Sequence, residues 1–234
     1  AHLNSFLENQ VPIATESRGV LNPMDIEEYI QLGGFKGLKK ALEYTSEENI
    51  EEIRRSGIRG RGGAGFPTYI KWKLVADQQS NTKYIICNGD EGDPGAFMDR
   101  MLLESYPFRI IEGILIAAFA LQATKGFFYI RAEYPLAVET VRLALEKARA
   151  SGYLGQNILN SGFNFDMEIV EGAGAFVCGE ETALIASIQG QRGFPTVRPP
   201  FPAEKGLWGQ PTLVNNTETF AQISYILSKG ADHF

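Results

Sequence analysis

Ile58-Arg-Gly-Arg-Gly-Gly-Ala-Gly-Phe-Pro67 decides how this chain is read. Ten residues hold four glycines and two arginines, then close on an aromatic and a proline. Glycine lets a backbone bend and approach a ligand closely. Arginine offers a planar fork of donors to a phosphate. The stretch reads as a cradle for a flat, phosphorylated cofactor. Gly60-Arg-Gly-Gly-Ala-Gly65 also fits G-x-G-x-x-G, but that fingerprint belongs after a strand. Here the preceding residues, Thr45 to Ser56, read as a helix stopped by Gly57, with acids in its first turn. By itself the loop fits either a flexible connection or a ligand cradle.

Working outward, strand-like and helix-like segments alternate. Lys83–Cys87 is a short apolar run of the kind that forms a buried strand, and Gly126–Arg131 and Phe165–Val170 read as a second and a third strand. Helices are expected over Pro67–Asp77, Ala96–Ser105, Ile110–Gln122, Ala137–Ala150, Glu180–Ile188 and Thr217–Leu227. Before the loop, Asn22 is expected to cap a helix that Gly33-Gly34 ends, and Phe35–Tyr44 forms another. This alternation predicts an α/β fold: a Rossmann-like, mainly parallel sheet flanked by helices. Residues 1–56 form an N-terminal helical lead-in, and residues 57–234 form the cofactor-binding domain.

Composition narrows the function. The chain has 234 residues, enough for a sizeable core, and a net charge of −6, which disfavours a nucleic-acid partner. The longest apolar run, Ile114–Leu121, is too short to span a membrane, and no basic-then-apolar leader opens the sequence. With only Cys87 and Cys178, the chain cannot itself ligate a four-cysteine cluster; a reducing, cytoplasmic setting is expected. Both histidines, His2 and His233, lie at the ends, so no central histidine base is available.

Three further clusters carry chemistry. Asn88, Asp90, Glu91 and Asp93 follow the first predicted strand, where open α/β sheets gather ligands. They suit hydrogen bonding to a ring N–H or a ribose hydroxyl; an oxygen-ligand metal loop and a solvated acidic loop compete. Gly172-Ala-Gly-Ala-Phe-Val-Cys-Gly-Glu-Glu181 follows the third strand, and its two glutamates either serve a ligand or cap the next helix. Cys178 is expected to be a small buried residue, since nothing activates it. Asn215-Asn216 suits a phosphate or a plain helix cap.

Together these segments resemble the flavin-binding subunit of NADH dehydrogenases: the complex I flavoprotein subunit and the beta subunits of NAD-linked soluble hydrogenases and formate dehydrogenases. The matching motifs are Gly57–Thr68, Cys87–Glu91, Pro94-Gly95, Gly172–Leu184, Arg198-Pro-Pro-Phe-Pro202 and Val214-Asn-Asn-Thr-Glu-Thr219, in the family's order over residues 57 to 227. The lead-in Gly19–Tyr29 is similar to the hydrogenase and formate dehydrogenase branch.

The resemblance implies bound FMN with NAD(H) stacked on its ring. Gly60, Arg61, Gly62 and Lys71 would border the flavin and its ribityl phosphate. Asn88, Asp90 and Glu91 would hydrogen-bond the flavin. Phe176, Gly179, Glu180 and Glu181 would line the space over the ring, and Val214, Asn215 and Asn216 would close the phosphate end. Gly63, Ala64, Gly65, Phe66, Lys71, Asp93, Glu181 and Phe201 would meet the NAD nucleotide. The chemistry would occur on FMN, with no catalytic side chain and no metal ligand; Glu91 and Glu181 would tune the flavin.

Three positions depart from the family's pattern. Phe176 replaces a common tyrosine, Leu74 stands where an aromatic is frequent, and Asp93 where many members have glutamate; these bear on nucleotide affinity and on the choice between NADH and NADPH. Partners implied are a thioredoxin-like [2Fe-2S] subunit and a larger iron–sulfur, hydrogenase or formate dehydrogenase subunit. The family's ubiquitin-like domain and [4Fe-4S] helical domain would follow Phe234. The chain is therefore expected either to be a fragment or to pass electrons to a cluster on another chain.

Overall fold

The computed structural model describes residues 9–17, 19–172 and 176–234, without the side chain of Phe176. Five strands form one sheet: β1 (Tyr84–Gly89), β2 (Lys125–Arg131), β3 (Gly155–Ile158), β4 (Phe163–Gly172) and β5 (Thr212–Asn216). Their order is β3-β4-β2-β1-β5. All neighbours run parallel except the β3–β4 hairpin at one edge. Ten α-helices are described: α1 (Ile26–Gln31), α2 (Lys36–Glu43), α3 (Ser46–Ser56), α4 (Thr68–Ala76), α5 (Met98–Ser105), α6 (Pro107–Leu121), α7 (Pro135–Ala150), α8 (Glu181–Ile188), α9 (Pro202–Lys205) and α10 (Thr217–Lys229).

The pleat sorts successive strand residues to opposite faces. Ile85, Cys87, Phe128, Ile130 and Leu213 join the main core, which continues through α2, α3, α6, α7 and α10. Ile86, Phe127, Tyr129 and Val214 face the other way, under Leu184 and Ile185 of α8 and Leu207. Both faces are covered, as a parallel sheet requires. In α6 every residue but Phe119 is buried, so its sequence shows almost no polar face. Gly113 lets α6 reach α10: a Cβ there would lie 2.0 Å from the Phe220 carbonyl oxygen.

The lead-in is tied to this core by one buried carboxylate. Glu112 accepts from Tyr29 Oη at 2.5 Å, Phe35 N at 2.9 Å and Leu38 N at 3.1 Å. It thereby takes two of the amides at the start of α2, whose Phe35 has no side-chain cap and sits at φ 58°. Burial pushes the Glu112 carboxyl upward, against those three hydrogen bonds. The core is continuous from Ile26 and Tyr29 to Phe220.

The strand, helix and sheet expectations are met, with three differences. Asp25, not Asn22, caps α1: its side chain accepts from Glu28 N, while Asn22 accepts from Met24 N in a local turn. Gly155–Ile158 is a strand that its polar, glycine-led sequence does not announce. Thr212–Asn216, where no strand is expected, is β5, because main-chain pairing to β1 supplies the hydrogen bonds. Thr45 caps α3 in a reciprocal capping box with Glu48, and Gly57 ends that helix in the left-handed conformation at φ 67°.

Candidate flavin and nucleotide site

The strand order reverses at β1: the chain builds β2 and β4 on one side and returns to place β5 on the other. A crevice beyond the carboxyl ends of strands at such a point is where open α/β sheets bind ligands. Register sets Asn88 opposite Asn216 there, and Cys87 opposite Asn215. A cavity of about 540 Å³ opens at this place, walled by the glycine loop, α4, β5, the Gly179–Glu181 turn and the Arg198–Ala203 segment. The volume falls in the range of small-molecule sites, roughly 300–1,000 Å³.

The loop is shaped by a short bridge between Arg59 and Pro67, where Gly60 N donates to Phe66 O at 2.9 Å. Gly63 at φ 100° and Gly65 at φ 61° take conformations that side chains rarely adopt. Among the described residues, none of the amides from Gly62 to Phe66 donates to another backbone or side-chain group. Such a run of free N–H groups is a ready anion cradle. Arg59 holds the loop by donating to Gly65 O at 2.9 Å.

The cradle is tied to α10, where Arg61 N donates to Thr219 Oγ1 at 3.0 Å and Arg61 Nε to Gln222 Oε1 at 3.3 Å. Lys71 projects from α4 into the cavity, donating to Val214 O at 3.0 Å and forming an ion pair with Glu181. Arg198 closes the far side, 2.8 Å from Glu180 and 3.5 Å from Glu181. Glu181 thus lies between two cations. Glu180 caps α8, accepting from Thr182 N at 2.9 Å and Ala183 N at 3.0 Å, so the capping alternative holds for it while it still lines the cavity.

The acidic loop after β1 divides its carboxylates. Asn88 donates to Gly179 O at 3.0 Å, joining the two ligand loops. The Asp90 side chain is 2% exposed and neither carboxylate oxygen has a hydrogen-bond partner; Arg131 stands 3.8 Å away. Burial raises its carboxyl to about 6, against the pull of Arg131. Glu91 caps α5 instead, accepting from Asp99 N and Arg100 N at 3.1 and 3.2 Å. Asp93 is exposed. No group of three or more potential metal-ligating side chains exists among the described residues.

At the β5 end of the cavity, Asn216 caps α10 by accepting from Glu218 N at 2.9 Å, and its amide donates to Asp99 at 2.6 Å. Asn215 Nδ2 and Thr68 Oγ1 are buried without partners on the cavity wall. Unpaired buried polar groups are costly, and a ligand that hydrogen-bonds them removes the cost.

The structure therefore brings together Gly60, Gly62, Ala64, Gly65, Phe66, Lys71, Asn88, Gly179, Glu180, Glu181, Phe201, Val214, Asn215 and Asn216 around one cavity. Arg61, Gly63, Asp90, Glu91 and Asp93 are not on its wall. For Glu91 the physical reason is the α5 amides that hold its carboxylate. Phe176 lies outside the described side chains. Leu74 lines the wall and is 40% exposed, beside the half-exposed Phe66 and Phe201. Sequence reading missed Thr68 and Arg198 as wall residues, although both stood in matching motifs, Thr68 at the end of the glycine loop and Arg198 at the start of Arg198–Pro202. Cys178 is buried, as expected.

Orphaned donors at Asn215 and Thr68, a free-amide loop and a lysine make a donor set suited to a phosphorylated flavin. Residues 53–225 match the family described as the Nuo51 FMN-binding domain. The chain is 52% identical over 227 residues to the NADP-reducing hydrogenase subunit HndC of Solidesulfovibrio fructosivorans, covering 97% of this chain and 46% of that protein. It is 49% identical over 209 residues to an NADH-quinone oxidoreductase subunit of Aquifex aeolicus, covering 89% and 49%. The NAD+-reducing [NiFe]-hydrogenase in its H2-reduced state superposes with a TM-score of 0.78 at 34% identity, over 100% of this chain and 41% of the matched chain. The chain spans about half the length of the relatives it matches. A match over most of the chain, with the motif loops meeting at one cavity, places this protein in the Nuo51 FMN-binding domain family.

Proposed function

We propose that this chain is the flavin-bearing module of an NAD(P)H:acceptor oxidoreductase. Residues 57–234 carry the site, and α1–α3 of the lead-in brace it. When bound in the cavity, FMN would supply a hydride acceptor for a reduced nicotinamide nucleotide and a one-electron donor for an iron–sulfur centre. The chain's own groups bind and orient. Gly60, Arg61 and Gly62 with Val214, Asn215 and Asn216 take the phosphate and ribityl end, and the Gly63–Phe66 amides face the nucleotide. Lys71, Asn88 and the Gly179–Glu181 turn border the ring, with Asp90 next to them. Phe66 and Phe201 receive the adenine of the nucleotide, a large aromatic surface offered to a planar base. Glu181, set between Lys71 and Arg198, would offset part of their positive charge near the ring and so lower the flavin's potential.

The observation that carries this reading is the convergence of the glycine loop, Lys71, the Gly179–Glu181 turn and Asn215-Asn216 on one cavity at the β1/β5 switch point. The partners that would accept its electrons are a thioredoxin-like subunit with a [2Fe-2S] cluster and a larger iron–sulfur, hydrogenase or formate dehydrogenase subunit with [4Fe-4S] centres. The setting is the cytoplasm; no described helix is long and apolar enough to cross a membrane. Reconstitution tests the proposal. Protein incubated with FMN and desalted is expected to stay yellow and to bleach on adding NADH or NADPH. A colourless protein that does not take up FMN overturns it.

A further inference from the structure

Asp99 lies in the first turn of α5, 6% exposed, one layer beneath the phosphate end of the cavity. Its Oδ2 accepts from Asn216 Nδ2 at 2.6 Å and its Oδ1 from Glu218 N at 3.3 Å. Both partners belong to the start of α10. Asn216 in turn packs beneath the glycine loop: a Cβ on Gly62 would lie 3.4 Å from Asn216 Cβ. Beside it, Asn215 leaves its buried amide unpartnered on the cavity wall. Asp99 therefore holds the residue on which the anion cradle rests.

Its surroundings are acidic. Glu91 reaches it from the loop after β1, accepting its backbone N–H at 3.1 Å. Glu218 faces it from α10, with Gln222 donating to that carboxylate at 2.9 Å. Burial raises the Glu218 carboxyl, against the pull of Arg61 from the glycine loop. Arg100, on the same helix as Asp99, is paired with Glu104; Arg131 and Tyr134 from the β2 end contact the Glu91 carbonyl. Cys87 of β1 meets Thr217 at 3.5 Å close by. The hydrogen bonds to Asp99 come from an amide side chain and a backbone N–H, not from a cation. Burial, then Glu91, raise its carboxyl to about 7, against the Asn216 and Glu218 contacts.

We infer that Asp99 is the positioning residue for the phosphate-bearing end of FMN, acting through Asn216, and that it takes up a proton when that end arrives. This rests on the flavin reading above. A phosphate carries about −1.5 to −2 charges at neutral pH. Set on Asn215, Asn216 and the α10 start, it adds negative charge beside an already acidic cluster, which favours the protonated carboxyl. The proton comes from solvent and goes to Oδ1, whose contact with Glu218 N is the long one. Oδ2 continues to hold Asn216, and no bond to the cofactor forms.

Because the carboxyl rises on binding, affinity for FMN falls as pH climbs between the free and bound values. A rise of one unit on binding gives about a threefold increase in Kd between pH 7 and pH 8. Calorimetric titration of the apoprotein with FMN at pH 7.5, in two buffers of different ionisation enthalpy, counts the protons taken up. The wild type is expected to take up more protons than Asp99→Asn, which keeps an acceptor for Asn216 but cannot titrate, and the Kd of the variant is expected to lose the pH slope. Riboflavin, which lacks the phosphate, is expected to show no uptake that depends on Asp99. Equal uptake by wild type and Asp99→Asn, or the same Asp99-dependent uptake with riboflavin, overturns the inference while the flavin reading stands. Failure of the wild type to bind FMN overturns both. Should Asp99→Asn not fold, equal wild-type uptake with FMN and riboflavin overturns the inference without the variant.

Discussion

Replacing Gly62 by alanine separates what the glycine loop does for folding from what it does for a ligand. Gly62 is not among the positive-φ glycines, and a Cβ there meets only Asn216, at 3.4 Å from its Cβ. The folded apoprotein therefore has room for the methyl group. Removing a glycine where alanine fits lowers the entropy of the unfolded chain and stabilises by about 0.4–1 kcal/mol. For a chain of this length each kcal/mol moves the melting temperature by roughly 2–4 °C. Gly62→Ala should melt at or slightly above the wild type. The same methyl stands at the wall of the cavity, where overpacking costs about 1–3 kcal/mol, or roughly 5- to 150-fold in FMN affinity. Gly63→Ala makes the contrast: at φ 100° it carries a backbone strain of about 1–2 kcal/mol with nothing bound. Melting curves of the apoproteins, with FMN titration by fluorescence quenching, read both effects. A Gly62→Ala protein that melts several degrees lower, or binds FMN as tightly as the wild type, refutes the cradle reasoning.

Four other outcomes follow from the same geometry. Phe66→Ala should raise KM for NADH by about 5- to 150-fold, on base stacking worth about 1–3 kcal/mol, while FMN stays bound after desalting; loss of the yellow colour would place Phe66 in the flavin site instead. Glu181→Gln removes the charge between Lys71 and Arg198, so the FMN midpoint should rise in a redox titration, and an unchanged midpoint would exclude the tuning role. Glu112→Ala strands Tyr29 Oη and the Phe35 and Leu38 amides, which should cost about 2–5 kcal/mol in denaturant unfolding; a loss below about 1 kcal/mol would show that the lead-in is not held there. Asp90 carries a carboxyl raised by burial to about 6, so the folded apoprotein holds that proton more tightly than the unfolded chain, and the stability from it is full below about pH 4 and lost as pH rises through 6. Asp90→Asn should therefore stabilise the apoprotein at pH 8 by on the order of 2 kcal/mol and make no difference near pH 4; equal melting of the two proteins at pH 8 would count against it.

Ligand-loop composition was legible along the chain because local chemistry produces it. Thr45 with Glu48 announces the start of α3, Gly57 its end, and Gly60–Gly65 a backbone open to close approach, all from residues within a few positions of one another. Apolar runs marked β1 and β2 because a strand buried on both faces has no polar face to show; β4 instead alternates, with Phe165 and Met167 buried and Glu168 exposed. β3 and β5 were not legible as strands: Gly155–Ile158 is polar, and Thr212–Asn216 becomes a strand only through the hydrogen bonds β1 supplies. The resemblance, carried by long motifs in order, supplied the cofactor class that composition alone left open.

Division of labour among the carboxylates needed the tertiary structure. Asp90, Glu91 and Asp93 lie within four positions in the sequence, yet one is buried without a hydrogen-bond partner, one caps α5 and one is exposed. Asp99 carried no signal; its importance arises from Asn216, 117 positions away. Sequence by itself determined which loops can hold a phosphorylated cofactor, because glycine freedom, caps and strand burial are short-range properties. Only the tertiary structure decided which side chains in those loops are free to face a ligand, because that depends on which backbone amides and carboxylates distant segments have already engaged.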